Sequence, residues 1–246
     1  MKAYIQCLSD GTPMDYDVYN ACCGFREMGW ELVYFKKYSE LASSHEIQDV
    51  IVGGIGMVRQ RLNDFDVIIP NTDYPECLSE YYGRKMWITK LKNVNSDPDM
   101  WPVFIKPVEN KIFTGRVVHS TKDLIGCGSC DVDSDVYCSE VVDFKSEYRA
   151  FIRYGSILDV RRYKGDWRFT PDHKVIERCI KEYSDAPKGY ALDFGVTDKH
   201  ETLLIEVNNT TSLGSYGLMY IDYAKLISAR WAELTGTEDE CAFDIR

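Results

Sequence analysis

Two apolar runs toward the C-terminal end, residues 191–196 and 203–209, constrain the fold of this chain more than any other feature. Both have strand-like composition, and the polar stretch Thr197-Asp198-Lys199-His200-Glu201 between them predicts a turn, so together they predict a β-hairpin. Side chains two apart on a strand share a face, which places Glu206 beside Asn208, and pairing of the runs brings Asp193 to that face. Two carboxylates and an amide oxygen make a hard-oxygen cluster. Magnesium selects such ligands and completes its octahedron with water and phosphate oxygens. The competing reading is a surface hairpin whose acids face water.

The chain has 246 residues, enough for one large domain or two modest ones, and at 45% hydrophobic and 28% charged residues it is globular in composition. A net charge of −10 argues against general nucleic-acid binding, which needs a basic surface. No apolar run reaches membrane-spanning length, and residues 1–10 read as a strand rather than a signal peptide. Nine cysteines without a secreted framework's spacing fit free thiols in a reducing compartment, so a cytoplasmic location with no membrane association is expected.

Taken in order, the first eighty residues predict a small α/β domain. A strand is followed by a helix over residues 17–28, with Asp15 or Asp17 as its N-cap, and by a strand at 30–35. A short apolar run at 50–52 leads into Gly53-Gly54-Ile55-Gly56, then a short helix and a strand over 65–70. The glycine cluster lacks the lysine of a Walker-type loop and the spacing of a dinucleotide fingerprint, which favours a tight turn or close backbone approach. A helical stretch is expected over 81–92, with the domain boundary just before Gly83. Strands at 103–107 and 111–118 predict an antiparallel pair, followed by a capped turn at 120–125 and a glycine-containing loop at 126–130. Strands at 137–142, 148–154 and 157–163, a helix at 175–183, the hairpin and a final helix at 221–234 complete the expected order.

Several residue types in this pattern can carry chemistry. Lys106 ends a buried strand, where a cation is costly unless it holds an anion such as a phosphate, or snorkels to water. From Glu140 through Val142 to Glu147 a strand exits into a linker. Such a segment can offer backbone groups to an adenine edge and a later carboxylate to ribose hydroxyls. Arg149 and Arg153 share a strand face, whereas Arg161 and Arg162 point oppositely. An arginine facing a cleft can clamp phosphate. Cys127 and Cys130 have the spacing of half a zinc site or a redox pair, but no second pair accompanies them, which favours a plain loop. No nucleophile elbow is present, and none of the four histidines has an evident Ser or Cys partner.

In this order the pieces resemble the ATP-grasp superfamily. Phe104-Ile105-Lys106-Pro107 resembles its phosphate-binding lysine strand, residues 139–149 its adenine hinge and ribose acid, and Asp193 with Ile205-Glu206-Val207-Asn208 its magnesium acid and E-x-N motif. The wording around Gly83-Arg84-Lys85-Met86-Trp87 and Lys111-Ile112-Phe113-Thr114-Gly115 resembles a divergent clade of small bacterial and phage ATP-grasp proteins. That clade is related to a eukaryotic translation-initiation-factor assembly protein.

The resemblance covers about residues 83–235 and implies an ATP-grasp fold of two α+β subdomains enclosing the nucleotide. A small pre-grasp-like α/β domain (1–82) would precede a grasp domain (83–246) whose lysine-strand subdomain spans about 101–140. It further implies that Lys106, with Lys85 or Arg84, meets the phosphates of ATP, that Glu140 and the backbone near Val142 meet adenine, and that Glu147 holds the ribose. Asp193, Glu206 and Asn208 would bind Mg2+. Many ligases of the superfamily carry an arginine two residues before the first magnesium acid. Here that position is Ala191, and Arg149 or Arg161 is the expected replacement. The phosphate-covering loop is also short, with Glu109-Asn110-Lys111 in place of a glycine-rich run.

The implied activity is an ADP-forming carboxylate–amine ligase working through an acylphosphate, with peptides and proteins among its candidate substrates. An ATP-binding assembly factor for a partner protein and a small-molecule kinase stand as alternatives. The loop 210–217, just after the metal motif, is placed to close over a substrate or simply to connect to the last helix.

Overall fold

The structure, a computed structural model, describes residues 1–108, 113–128 and 133–243. The N-terminal stretch runs β1 (Lys2–Gln6), α1 (Tyr16–Glu27), β2 (Glu31–Phe35), α2 (Tyr38–Ser44), β3 (Val50–Val52) and α3 (Ile55–Asp64). A 3-10 turn (Glu76–Tyr81) leads to β4 (Met86–Lys90), α4 (Leu91–Ser96), β5 (Val103–Pro107), β6 (Arg116–Val118) and β7 (Asp135–Ser139). The chain finishes with β8 (Ser146–Arg153), β9 (Ser156–Gly165), α5 (His173–Glu182), β10 (Gly189–Val196), β11 (Thr202–Asn209) and α6 (Tyr220–Thr235).

These elements form two compact units, Met1–Tyr81 with Lys145–Arg246, and Tyr82–Phe144. The first unit contains a parallel sheet ordered β2-β1-β3 and an antiparallel sheet ordered β11-β10-β8-β9. The expected division at 82/83 falls at the start of the second unit. Residues 145–246, however, pack with the N-terminal residues, because one apolar core joins Tyr4, Phe25 and Leu62 to Phe151, Leu226 and Trp231. Helix α1 lies so close to α6 that a Cβ on Gly24 would sit 2.1 Å from the Tyr220 carbonyl oxygen, so only glycine fits there. The second unit is the antiparallel sheet β4-β7-β5-β6 over a core that includes Val94, Val103, Ile105, Val136 and Cys138.

Local chemistry explains most element boundaries. Asp15 is the N-cap of α1, its Oδ1 accepting from Val18 N at 2.8 Å, and Ser120 with Asp123 forms a capping box on the 3-10 turn Thr121–Leu124. At the glycine cluster, Gln6 Oε1 accepts from Gly54 N at 2.8 Å, and a Cβ on Gly53 would meet that oxygen at 2.5 Å. The close approach expected there is therefore to the side chain of β1.

Two expectations are corrected. Residues 67–70 form no strand: Phe65 caps α3, Asp66 takes a left-handed φ of 58°, and Ile68 is exposed. Residues 86–90, expected as helix, are strand β4 paired along its length with β7, so tertiary pairing and the β-favouring Trp87-Ile88-Thr89 run override the helical reading. Helix α2 was not foreseen. Of the strand expected over 111–118, residues 111 and 112 lie outside the described residues, as do the rest of the 109–111 loop and Cys130; Cys127 is buried in the second core.

His45 is one of the few buried polar groups of the N-terminal stretch. Its Nδ1 accepts from Arg61 Nε at 3.3 Å, so Nε2 carries the proton and donates to the Asp49 carbonyl at 2.8 Å. The ring packs edge-on against Tyr4 and Trp231, and burial pulls its pKa down to about 4. The unfolded chain takes up this proton near pH 6.5 and the folded chain only near 4, so stability falls as pH drops through that window. The expected loss is about 3 kcal/mol between pH 7 and 4. Urea midpoints of the wild type and His45→Gln at both pH values check this: the acid-induced loss shrinks by about that amount in the variant.

Candidate active site

The four-stranded sheet of the first unit carries a rank of charged side chains along one line of register. Glu206 on β11 pairs with Asp193 on β10, Asp193 pairs with Arg149 on β8, and Arg149 pairs with Arg161 on β9. Directly opposed residues point to the same face, so the sheet presents two acids followed by two arginines. The order β11-β10-β8-β9 builds this rank from two strand pairs, β8-β9 and β10-β11, joined through the non-consecutive neighbours β10 and β8.

Asp193 lies at its centre, 2% exposed, and Arg149 beside it is 6% exposed. Arg149 grips the carboxylate bidentately, Nε to Oδ1 and Nη2 to Oδ2, both at 2.7 Å. Its Nη1 donates to the Gly214 carbonyl at 3.3 Å. Burial works against the arginine's charge, but the pairing with Asp193 holds its pKa above the ordinary value. Burial likewise pushes the Asp193 carboxyl up, and the Arg149 guanidinium opposes that push.

Asn208 ties the two acids together. Its Nδ2 donates to Asp193 Oδ2 at 3.2 Å and to Glu206 Oε1 at 3.1 Å, so the three residues predicted from the hairpin converge on one spot. The hairpin is bulged between Asp193 and Phe194, directly beside these acids. Two carboxylates held within reach of one amide nitrogen, together with an amide side chain, form a donor set that fits a hard divalent cation such as magnesium. Among the described residues no cluster of three or more His, Cys, Asp or Glu side chains is placed to hold a metal ion.

The other predicted residues of this unit are placed as follows. Glu147 shares the β8 face with Arg149 and pairs with Lys164 at 2.5 Å. Arg161 turns to Asp159 at 2.6 Å, and its Nε is buried with no hydrogen-bond partner. Arg153 is drawn away to the C-terminal segment, bonding Asp239 at 2.6 Å and the Cys241 carbonyl at 2.9 Å. Position 191 is a fully buried alanine opposite Phe151, with no cation beside the acids on that strand.

In the second unit, Lys106 alternates with the buried Val103, Ile105 and Pro107 of β5, half-buried on the opposite face and in register with Tyr137 of β7. Lys85 and Glu140 bracket one another: Lys85 N donates to Glu140 Oε2 at 2.9 Å, and Glu140 N donates to the Lys85 carbonyl at 3.1 Å. The Lys85 ammonium stands 5.6 Å from the centre of the Trp87 ring. Val142 follows in a connection without regular secondary structure.

Sequence reading missed a second feature of the first unit. A cavity of about 90 Å³ is lined by Asp15, Asp17, Gly53, Thr211, Gly214 and Tyr223 among others. One wall is the loop that follows β11, held there because Asp17 Oδ1 accepts from Ser215 N at 2.8 Å and from its Oγ at 2.7 Å. Loop 210–217 thus touches both the cavity and, through Gly214, the arginine of the charged rank. The only signal in the sequence was the position of this loop directly after the acidic strand.

Removing the cation would strand a buried carboxylate. Arg149→Met is expected to lower stability by about 3–5 kcal/mol, read from urea unfolding, while Arg149→Met combined with Asp193→Leu recovers most of it. Equal losses in the single and double variants would show that the pair is not coupled.

The profile of the family described as "ATP-grasp domain, R2K clade family 2" matches residues 81–226. No curated protein matches the chain. Among solved structures, a D-alanine–D-alanine ligase from Bacillus anthracis complexed with ATP superposes with a TM-score of 0.54 at 14% identity, covering 96% of this chain and 98% of that one. An L-amino acid ligase from Bacillus licheniformis superposes with a TM-score of 0.59 at 8% identity, covering 100% of this chain and 77% of that one. At such identities the likeness is one of fold.

Proposed function

The chain belongs to the ATP-grasp superfamily, in R2K clade family 2, and from that premise we propose that it is an ATP- and magnesium-dependent carboxylate–amine ligase. The observation that carries the proposal is the rank Glu206, Asp193, Arg149, Arg161, with Asn208 bridging its two acids, beside a cavity edged by Asp15 and Asp17. A ligase needs anion-compensating groups and an acceptor site but little protein-side acid–base chemistry, and this is the inventory present.

In this reading Lys106 and Lys85 contribute positive charge to the phosphates of ATP, Glu140 and the backbone at Val142 meet adenine, and Glu147 meets the ribose. Asp193, Glu206 and Asn208 hold magnesium, which when bound draws charge from the phosphate oxygens. Arg149 and Arg161 supply the cationic groups that Ala191 does not. A donor carboxylate oxygen attacks the γ-phosphorus, forming the P–O bond of an acylphosphate as the bond to ADP breaks. The acceptor amine then attacks the acyl carbon, and phosphate leaves as the C–N bond forms, taking up the proton that the nitrogen loses.

The acids of the cavity suit an amine-bearing acceptor. At about 90 Å³ the cavity admits a small group, such as the end of a peptide or of an amino-acid side chain. Among the described residues no helix is long and apolar enough to cross a membrane. We place the activity in the cytoplasm with no membrane or general nucleic-acid partner, on the composition and charge of the chain.

Incubation with ATP, magnesium and pooled carboxylic acids, amines and peptides is expected to release ADP and phosphate together with a condensed product, read by mass spectrometry. Glu206→Gln, which keeps the side chain's size, should lower turnover by about 100-fold or more. Release of AMP, a stable phosphorylated product, or binding of a partner without change in its mass would each replace the ligase reading.

A further inference from the structure

Arg149 has a third set of contacts, and they come from two tyrosines that neither the family resemblance nor the proposed chemistry uses. A regular ladder between β8 and β9 would set Tyr163 opposite Glu147, since Arg149 pairs with Arg161 and Tyr148 with Arg162. Instead Glu147 pairs with Lys164, so Tyr163 is the additional residue of a β-bulge, outside the backbone ladder, with its side chain beside Glu147. Bulges re-aim side chains. Here the re-aimed hydroxyl donates to Asp193 Oδ2 at 3.5 Å, and the ring stacks on Tyr216 with centroids 4.7 Å apart and planes 17° from parallel.

Tyr216 comes from the loop after β11, and its own backbone is strained. It has φ 44°, a left-handed conformation that a bulky residue rarely adopts. The loop is fixed on both sides of it: Ser215 is bonded to Asp17, the Leu218 amide to the Ser215 carbonyl at 2.8 Å, and the Leu218 carbonyl to Asn20 at 3.1 Å. The result is a ring over the guanidinium of Arg149, whose central carbon lies 4.7 Å from the Tyr216 centroid and 5.8 Å from that of Tyr163. The nitrogens of the guanidinium are bonded to Asp193 and Gly214, and its central carbon lies over the Tyr216 ring.

The contacts on Asp193 are unequal. Among the described residues Oδ2 accepts from Arg149 Nη2 at 2.7 Å, from Asn208 Nδ2 at 3.2 Å and from the Tyr163 hydroxyl at 3.5 Å, and Oδ1 accepts from Arg149 Nε at 2.7 Å. We infer that Tyr163 and Tyr216 are positioning residues that lock Arg149 against Asp193 and so fix the carboxylate that Asn208 joins to Glu206. This rests on the functional reading above only for the identity of what the Asp193 carboxylate binds.

The test uses the full chain labelled with 15N-arginine, following solvent exchange of the Arg149 Nε–H, assigned by its absence in Arg149→Lys. Tyr216→Phe keeps the ring and should exchange like the wild type. Tyr216→Leu and Tyr163→Leu should each exchange about tenfold faster, with backbone amides of β8 and β10 unchanged. Mn2+ binding, read by water-proton relaxation, should weaken in Tyr216→Leu and in Tyr163→Phe, which lacks only the hydroxyl, but not in Tyr216→Phe. Unchanged Nε–H exchange in both leucine variants, or an equal rise in Tyr216→Phe, overturns the inference. A wild type that binds neither Mn2+ nor ATP would overturn the functional reading instead, and the exchange comparison would still decide the tyrosine lock.

Discussion

The bidentate contact between Arg149 and Asp193 is the interaction on which the site depends. Two opposite charges almost wholly removed from water hold one another at 2.7 Å twice over. Either charge alone would be expensive in that position, so the pair is retained or lost together. Its neighbours follow from it. Asn208 and Tyr163 reach the carboxylate, Tyr216 covers the guanidinium, and Gly214 binds the remaining nitrogen. Through Gly214 the pair also fixes the loop that walls the cavity, so the acids of the sheet and the acids of α1 belong to one connected network.

The same contact changes the meaning of the alanine at position 191. That position carries no charge, and the cation in register with Asp193 is Arg149, directly across on the neighbouring strand. Cross-strand opposition gives a shorter and more rigid pairing than side chains that merely share a strand face. Arg149, proposed as a cation for the phosphates, is in the structure the ion-pair partner of Asp193. Arg161, next in the same rank but turned toward Asp159, keeps an unpaired buried Nε.

How much of this was legible depended on whether a residue's neighbours were local. Glu206 and Asn208 could be read from alternation, and Asp193 from the hairpin, because a short turn fixes that pairing. The rank across four strands could not, since nothing in the sequence states that β10 pairs with β8 as well as with β11. Tyr163 was hidden by a bulge, which breaks the two-residue period on which strand reading relies. The strand expected at 65–70 and the helix expected at 81–92 failed for a related reason: short apolar segments take the structure that tertiary pairing assigns them. Lys106 and Glu140 were legible as types and positions because each sits where a regular strand ends or exits.

The central claim is that the acidic face of β10 and β11 holds a divalent cation in the service of ATP. Calorimetric titration of a non-hydrolysable ATP analogue, with and without magnesium, tests it most directly when the wild type is compared with Glu206→Gln and Lys106→Ala. The account predicts magnesium-dependent binding in the wild type, loss of the magnesium effect in Glu206→Gln, and weak binding under both conditions in Lys106→Ala. Nucleotide binding that ignores magnesium, or that survives in all three proteins alike, would contradict it.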